Sequence, residues 1–417
     1  MVNREIGKNE AGQSVYKFSK KFLNLAPDSF LYKMFRKKNI VLNKKKVTGK
    51  EILNVGDNLS FFLADETIKS FQKEVDYKSQ GDNKSNLSLY GIRKKVDKNN
   101  TTLDYQEKFN VWEKSTKSDS IGSNDGLKKL ENNSKNIICN ENIIYEDENI
   151  LLLNKPAGVL SQKSRDNDYS LVEMLIDYMI SQGELSVTDL QTFHPSIVNR
   201  LDRNTSGLIV AGKTLFALQE LSRIFKSREI KKYYLTLVKG RIDKKIVLDG
   251  NLQKSADGNF VVVDKVSKIY LGNEGENKEP NQAEVKNEGN NKEFNSKSNT
   301  HIETEIIPLL FSDNITLLKV HLITGKTHQI RAHLGSIGHP VVGDYKYGDR
   351  KFNDYYKRKY GVKAQLLHSY QLVFPKLKGE LDYLSDKEYF AEIPKVFARI
   401  LKDKFEDLDN YISRYLK

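Results

Sequence analysis

The sequence contains very little cysteine, tryptophan and proline, and the shortage of cysteine narrows the possible chemistry most. Its 417 residues include one cysteine, one tryptophan and eight prolines. Cys139 alone can form neither an internal disulfide nor a cluster of thiolate metal ligands. The sequence therefore favours a reducing compartment and argues against redox chemistry between paired cysteines.

Long apolar stretches are missing as well. No run approaches the roughly 18 consecutive apolar residues of a membrane helix, and the first residues, MVNREIGKNE, are charged where a signal peptide is apolar. We therefore expect a cytoplasmic protein that does not enter a membrane. With 38% hydrophobic residues over this length, the chain is expected to form two or three globular domains.

Basic residues are abundant, and their distribution is uneven. The formal net charge is +13 and the pI about 9.3, which favours a polyanionic partner such as RNA. A general bias towards Lys, Asn and Ile would also raise the pI without any function. Residues 16–47, however, hold ten Lys or Arg residues and one acid. This clustering favours a nucleic-acid contact over compositional bias.

The basic segment predicts a small unit made of a helix followed by strands. Asp28 or Ser29 is expected to cap a helix on which Leu31, Met34 and Phe35 share one face. Short runs rich in β-forming residues follow it, separated by polar turns. The alternative is an ordinary solvated basic face. The candidate RNA-binding residues are Lys33, Arg36, Lys37, Lys38, Lys44 and Lys45.

Two polar stretches divide the rest of the chain. Residues 76–140 are rich in Lys, Asn and Ser without apolar periodicity, and predict a flexible linker. Residues 272–300 predict a loop inserted into a second domain, which we assign to residues 141–400. A C-terminal helix is expected over 401–417.

The second domain alternates strands and helices without a repeated βα rhythm. IIYEDENILLLN predicts a hairpin whose second strand is buried on both faces. Further strands and helices follow in irregular order. The domain is therefore expected to be α+β with a mainly antiparallel sheet.

The stretch NRLDRNTSGLIVAGK, residues 199–213, is the strongest candidate for a catalytic site. Asp202 lies between Arg200 and Arg203 and precedes a strand after a turn favoured by NTSG. A nearby arginine favours the ionised form of a carboxylate, which is then available as a nucleophile. The alternative is an aspartate that only pairs with one of these arginines to hold the turn.

Four segments in order resemble the RluA/RluC/RluD family of RNA pseudouridine synthases. They are LLLNKPAGVLS, NRLDRNTSGLIVAGK, REIKKYYLTLVKG and LITGKTHQIRAHLGSIGHPVVGDYKYG, and LLHSYQLVFP and YFAEIPKVF continue the pattern. The resemblance spans about residues 143–400 apart from the inserted loop. Residues 14–75 resemble an S-four-like RNA-binding domain. Asn199, Asn204 and Lys326 depart from the residues usual in the family, which leaves open which uridine is modified.

The family resemblance implies an isomerase that detaches uracil from ribose, turns it and rejoins it through carbon, with no cofactor and no metal. It assigns Asp202 as the attacking aspartate, Tyr234 as the active-site tyrosine, and Arg331 as the arginine that pairs with the aspartate. It also implies that Ile330 packs near the base and that Arg200 fills the space left by a flipped nucleotide.

The family's usual substrates imply ribosomal RNA of the large subunit, or an assembling ribosomal particle, as partner, and a monomer is expected. Two other functions compete with this one. One is an RNA-binding assembly factor that no longer catalyses, whose sequence sign would be a lost aspartate or tyrosine. The other is a metal-dependent hydrolase that uses His328, His333 and His339. The five-residue spacing of the first two histidines does not match an i, i+4 ligand pair.

Overall fold

The computed structural model describes residues 1–72, 138–254, 261–270 and 300–405. The predicted linker over 76–140 and the predicted loop over 272–300 fall almost wholly outside these residues, as does the tryptophan. None of the helices in the described ranges is long and apolar enough to span a membrane.

The N-terminal unit is a four-stranded sheet with three helices and a core of its own. The sheet order is β1-β4-β2-β3 with antiparallel pairs. Phe18, Phe35 and Phe61 are fully buried in this core. The elements are β1 (Val2–Glu5), α1 (Val15–Phe22), α2 (Asp28–Arg36), β2 (Ile40–Leu42), β3 (Lys45–Lys46), β4 (Asn58–Phe61) and α3 (Asp65–Phe71).

Helix α2 has the predicted faces but a different start. Leu31, Met34 and Phe35 are buried, as the spacing predicts. The predicted cap by Asp28 or Ser29 is wrong, because Pro27 occupies the N-cap position and makes no side-chain cap. Asp28 lies inside the first turn, where its carboxylate pairs with Lys20 at 2.9 Å. An acid in the first turn stabilises a helix through its dipole instead.

In the described residues, the second domain is built on one sheet of eleven strands. Its order is β11-β10-β12-β13-β9-β14-β8-β6-β5, with β15 paired to β14 and β7 to β8. The strands are β5 (Ile143–Glu146), β6 (Ile150–Lys155), β7 (Ser196–Ile197), β8 (Ser206–Gly212), β9 (Lys231–Lys239), β10 (Ile246–Lys254), β11 (Val261–Tyr270), β12 (Thr300–Ser312), β13 (Ile315–Leu322), β14 (Leu367–Val373) and β15 (Glu388–Phe390).

Nearly all neighbouring strands of this sheet are antiparallel, which confirms the predicted α+β class. Among the described residues, β8 and β14 form the one parallel pair. Strand β14 lies between β8 and β9, so the sheet changes direction where these three strands meet. The predicted hairpin is present as β5 and β6, and Ile150 to Leu153 of β6 are buried.

Helices cover both faces of the sheet because its strands carry apolar residues at successive positions. On β9, Tyr234 and Val238 join one core cluster and Leu235 and Leu237 join another. Helices α4 and α6 pack in the first cluster, α7 and α8 in the second, and α5 in a third. These helices are α4 (Leu171–Ser181), α5 (Leu215–Lys226), α6 (Gln329–Ser336), α7 (Arg350–Tyr360) and α8 (Lys395–Lys404).

The last helix differs from the prediction over 401–417. Helix α8 begins at Lys395, after Pro394 at the N-cap, and ends at Lys404. It begins earlier because Phe397, Ile400 and Leu401 form an apolar face that is buried in the core. Residues 406–417 lie outside the described residues.

A glycine permits the close contact between β8 and β14. Gly207 has φ +110°, and a Cβ atom at this position would lie 2.2 Å from the carbonyl oxygen of Ser369. No side chain fits in that space, and the φ value favours glycine. The Ser-Gly of the NRLDRNTSG stretch therefore lets the chain pass from the Asp202 loop into the centre of the sheet.

Candidate active site

The loop that carries Asp202 is fixed by hydrogen bonds to its backbone. The hydroxyl of Ser161 accepts from the amide of Leu201 at 3.1 Å and donates to the carbonyl of Leu201 at 2.8 Å. After Asp202, the amide of Thr205 donates to the Asp202 carbonyl at 3.0 Å, which closes a turn. The carboxyl group of Asp202 thus projects from a rigid loop.

Lys155, the lysine of the Lys-Pro-x-Gly segment, forms a hydrogen bond with the backbone of this loop. Its side chain is fully buried, and Nζ donates to the carbonyls of Pro156 and Val159 at 3.0 Å and of Arg203 at 3.2 Å. Burial lowers the pKa of Lys155 to about 7, an effect that the charge of Asp202 opposes. Because its nitrogen already donates to three backbone carbonyls, Lys155 has a structural role and stabilises the conformation of the loop.

Asn199, one of the departures from the family pattern, also serves the backbone. Its side-chain amide donates to the Leu208 carbonyl at 3.0 Å, and its oxygen accepts from the Val210 amide at 2.8 Å. Both partners belong to β8. This substitution therefore supports the strand that follows the Asp202 loop.

Arg331 brings a distant segment to Asp202. It lies on α6, and its Nη1 donates to Asp202 Oδ2 at 2.9 Å. The rest of the guanidinium group is held by Asp344, with Nε to Oδ2 at 2.7 Å and Nη2 to Oδ1 at 2.9 Å. Arg331 is 7% exposed and Asp344 1%. A planar two-point contact of this kind fixes the guanidinium group in one orientation.

Sequence reasoning assigned no role to Asp344. Its Oδ1 also accepts from the amides of Lys346 and Tyr347, at 2.9 and 3.2 Å. The two carboxylates raise the pKa of Arg331 against the opposing effect of its burial. Arg331 therefore remains a cation and presents one N–H to the carboxylate of Asp202.

His328 is a further neighbour of Asp202, which the sequence presented only as a possible metal ligand. Its Nε2 lies 3.7 Å from Asp202 Oδ2, and its Nδ1 lies 2.9 Å from the hydroxyl oxygen of Tyr347. The residue has φ +57° at the N-cap of α6. Burial lowers the pKa of His328, so that the neutral ring predominates at pH 7.

The other two histidines of this segment have different partners. His333 is fully buried and shares a hydrogen bond with the hydroxyl of Thr304, whereas His339 bonds to the carbonyl of Lys239. The three residues that suggested a metal site thus contact three separate groups.

Tyr234 projects from β9 towards the same site. It is 6% exposed and lines a cavity together with Asp202 and Arg331. Burial raises the pKa of Tyr234 to about 12; Ser369 opposes this shift and the charge of Asp202 adds to it. The phenol therefore keeps its proton at neutral pH. Tyr233 faces the other way and stacks on His321, with ring centroids 4.7 Å apart, as strand alternation predicts.

The cavity beside Asp202 has a volume of about 710 Å³, within the range of ligand pockets. Ile330, 4% exposed, contributes to its lining, and the exposed Arg200 lies at its edge. The structure thus brings all five site residues predicted from the second domain into one cavity. Its charged lining residues are Asp202, Lys163, Arg200, Arg203, Lys226, Arg228, Lys232, Lys326 and Arg331.

The chain is similar to known RNA pseudouridine synthases. A family model described as RNA pseudouridylate synthase matches residues 149–336. An uncharacterized RNA pseudouridine synthase of Mycoplasma genitalium is 32% identical over 237 residues, which cover 57% of this chain and 64% of that protein. Two proteins named ribosomal large subunit pseudouridine synthase C are 29% identical, in Buchnera aphidicola, and 25% identical, in Vibrio cholerae. Their alignments cover 67% and 93% of this chain and 76% and 94% of the relatives.

These matches support an enzyme of the RluA/RluC/RluD type, and the chain is similar to proteins named ribosomal large subunit pseudouridine synthase C and D. As a pseudouridine synthase it is an isomerase that acts on uridine in RNA. The matched range contains Asp202, Tyr234 and Arg331, but it ends before Asp344.

The basic residues of the N-terminal unit of this synthase lie on its surface. Lys33, Arg36, Lys37 and Lys38 are exposed at the C-terminal end of α2, and Lys44 and Lys45 are exposed at the turn after β2. The two groups flank a strand of three residues. Their charges therefore belong to one small region of the surface.

Proposed function

We propose that this synthase isomerises specific uridines of large-subunit ribosomal RNA and that Asp202 is its nucleophile. The observation that carries the proposal is the contact between Arg331 Nη1 and Asp202 Oδ2 in a cavity that Tyr234 also lines. Two relatives named as large-subunit synthases support the choice of RNA.

The chemistry requires one bond to break and another to form at the same sugar carbon. The bond from N1 of uracil to C1′ is lost, the base turns, and C5 joins C1′. C5 then loses its proton and N1 gains one, so the overall reaction is an isomerisation. Asp202 starts the sequence by attacking the nucleoside, at the sugar or at the base, and the bond that it forms breaks again before the product leaves, which regenerates the free carboxylate. Its position on a fixed loop lowers the entropic cost of reaching that geometry.

Arg331 and Tyr234 have complementary roles in this scheme. Arg331 orients the carboxylate and stabilises its charge, because its own position is fixed by Asp344. Tyr234 provides an aromatic surface for uracil, and such stacking contributes roughly 1–3 kcal/mol per base. That contribution retains a detached base while it turns, and Ile330 packs beside it.

The target uridine must leave its stack to reach Asp202. Extruding a nucleotide costs a few kcal/mol, and less in a loop than in a duplex. We propose that Arg200, exposed at the edge of the cavity, occupies the space that the extruded uridine leaves.

The N-terminal unit supplies affinity for the RNA backbone. Its six exposed cations are Lys33, Arg36, Lys37, Lys38, Lys44 and Lys45. We propose that they contact phosphates, as in an S-four-like RNA-binding domain. Such contacts are independent of sequence and weaken as salt rises. Choice of the uridine then falls to the cavity of the second domain.

Release of the hydrogen at C5 provides a direct test. The full chain is incubated with large-subunit RNA, small-subunit RNA or transfer RNA, each labelled with tritium at C5 of uridine. We expect tritium release from large-subunit RNA, equivalent to a small number of uridines per molecule, and much less from the other two. Binding without release from any of them would contradict the activity, and release mainly from transfer RNA would contradict the assigned substrate.

A further inference from the structure

One end of the cavity contains a buried cation that the reaction scheme does not use. Lys232 lies on β9 two residues before Tyr234, so both side chains project to the same face of the strand. Lys232 is 9% exposed, and its side chain lines the cavity. Two residues of strand span about 6.6 Å, so the side chain of Lys232 enters the cavity next to that of Tyr234.

Lys232 has no carboxylate partner among the described residues. Its charged neighbour is another cation, Arg228, and burial together with that charge lowers the pKa of Lys232. The closest acid in sequence, Glu229, instead pairs with Arg223 at 2.7 Å and accepts from Ser227 at 2.5 Å. A buried charge without a partner destabilises a fold unless an ion compensates it.

Three segments converge at this end of the cavity. Lys226 ends α5, and Arg228 follows it with φ +63°, a conformation that is unfavourable for a residue with a side chain. Gly325 also lines the cavity, and a Cβ atom at this position would lie 3.7 Å from Lys232 Nζ. Lys226 and Arg228 are exposed and line the cavity with Lys232. Three cations therefore line this part of the cavity, and no acidic side chain of the described residues lies between them.

We propose that Lys232, Arg228 and Lys226 form a phosphate subsite that holds a backbone phosphate of the RNA next to the target uridine. This inference rests on the proposed function, because it assumes that the uridine enters beside Tyr234. The phosphate would compensate the buried ammonium group, and its position would place the base over the tyrosine. The subsite recognises a phosphodiester and not a base, so it selects the path of the RNA backbone and not its sequence.

Lys232→Met removes the charge and keeps most of the side-chain length. We expect KM for an RNA substrate to rise roughly tenfold, and the dependence of log kcat/KM on log salt to become shallower by about 1, as for one lost phosphate contact. The rate at saturating RNA should change little. The melting temperature should rise, since an uncompensated buried charge is gone. Lys231→Met is the matched control, because Lys231 is exposed on the opposite face of β9.

A substrate with one neutral methylphosphonate links the effect to the RNA. With wild-type protein, replacing one phosphate beside the target uridine should raise KM as much as Lys232→Met does. With the Lys232→Met variant, the same replacement should add no further loss. Lys232→Arg should restore the preference for the charged phosphate. Arg228→Gln, at an exposed position, should reproduce part of the effect even if the buried variant is unstable.

Several outcomes would overturn the subsite. One is an unchanged KM and salt dependence in the Lys232→Met variant while wild-type protein converts uridine. Another is inorganic phosphate binding at Lys232 in a competition assay while no methylphosphonate position affects wild-type protein, which would indicate a free anion as ligand. Failure of the proposed function is distinguishable, since wild-type protein itself would then release no tritium.

Discussion

The two ends of the cavity differ in how their charges are compensated. At the catalytic end, Arg331 lies between Asp202 and Asp344, and every contact is 2.9 Å or shorter. At the other end, Lys232 and Arg228 face each other with no acid between them among the described residues. The charges at the first end are thus compensated by protein side chains, whereas at the second end no acidic side chain in the described part of the chain compensates the cations.

This difference separates two requirements of the reaction. A nucleophile must be held in its reactive geometry before the substrate arrives, so its counterion belongs to the fold. A site that binds a phosphate gains most when its own cations remain uncompensated until the phosphate enters. The pairing of Arg331 with two carboxylates therefore indicates that the Asp202 side chain is oriented before RNA binds. The uncompensated charges of Lys232 and Arg228 instead indicate a site that binds a phosphate of the RNA.

Substitution of Asp344, which pairs with Arg331, should have the largest effect on activity. In Asp344→Asn the guanidinium group of Arg331 loses its two-point partner and can rotate away from Asp202. We expect kcat/KM to fall roughly a hundredfold, the effect of a small misplacement at a reacting centre. The free energy of unfolding should fall by about 3 kcal/mol, as for a broken buried ion pair.

Steady-state kinetics and urea denaturation together test this prediction. Asp354→Asn is the control, because Asp354 accepts from the hydroxyl of the exposed Tyr345 and is not part of the cavity lining. If Asp344→Asn lowered stability while kcat/KM stayed at the wild-type value, the role of Asp344 in positioning Arg331 would be wrong.

Protonation of His328, beside Asp202, is expected to have a smaller effect on activity. Burial lowers the pKa of His328 from its ordinary value; Asp202 and Asp344 oppose this shift, whereas Arg331 and Lys346 add to it. The neutral ring therefore predominates at neutral pH. In acid the ring gains a proton and places a second cation 3.7 Å from Asp202 Oδ2. We therefore expect kcat/KM to fall on the acid side.

His328→Gln removes the titrating group and keeps an N–H donor. Its kcat/KM at pH 7.5 should lie within about tenfold of wild type, the effect of one weak interaction. The decrease of kcat/KM at low pH should be smaller than in the wild-type protein. The folded-state pKa is lowered, so the stability contribution of the neutral ring is present above pH 6.5 and lost as pH falls. His301→Gln, at an exposed position outside the cavity, is the control. An acid fall that is unchanged in His328→Gln would contradict this role.

The site residues that could be predicted from the sequence are those that lie within a short, recognisable motif. Asp202, Tyr234 and Arg331 lie in three motifs, and the structure brings them to one cavity. The apolar runs on either side of the acidic turn EDEN also predicted the hairpin of β5 and β6.

The partners of these residues could not be predicted, because they depend on tertiary contacts. Asp344 lies 13 residues after Arg331 in a segment that reads as a turn, and nothing local shows that it holds the guanidinium group. His328 was considered only as a metal ligand, a role that its spacing from His333 argues against, and nothing in the sequence indicated that it lies beside Asp202. Lys232 was different: its position two residues before Tyr234 placed both on one face of the strand, which the sequence alone could have indicated.

If the carboxylate of Asp202 performs the attack while other groups bind the RNA, the Asp202→Asn substitution should separate catalysis from binding. The variant and an Asp243→Asn control, at a surface aspartate near Arg241, are compared for RNA affinity and for tritium release from C5 of uridine. We expect Asp202→Asn to bind RNA as tightly as wild type, within about threefold, and to release no tritium, while the control does both. Tritium release by Asp202→Asn at a rate near that of wild type would contradict this expectation.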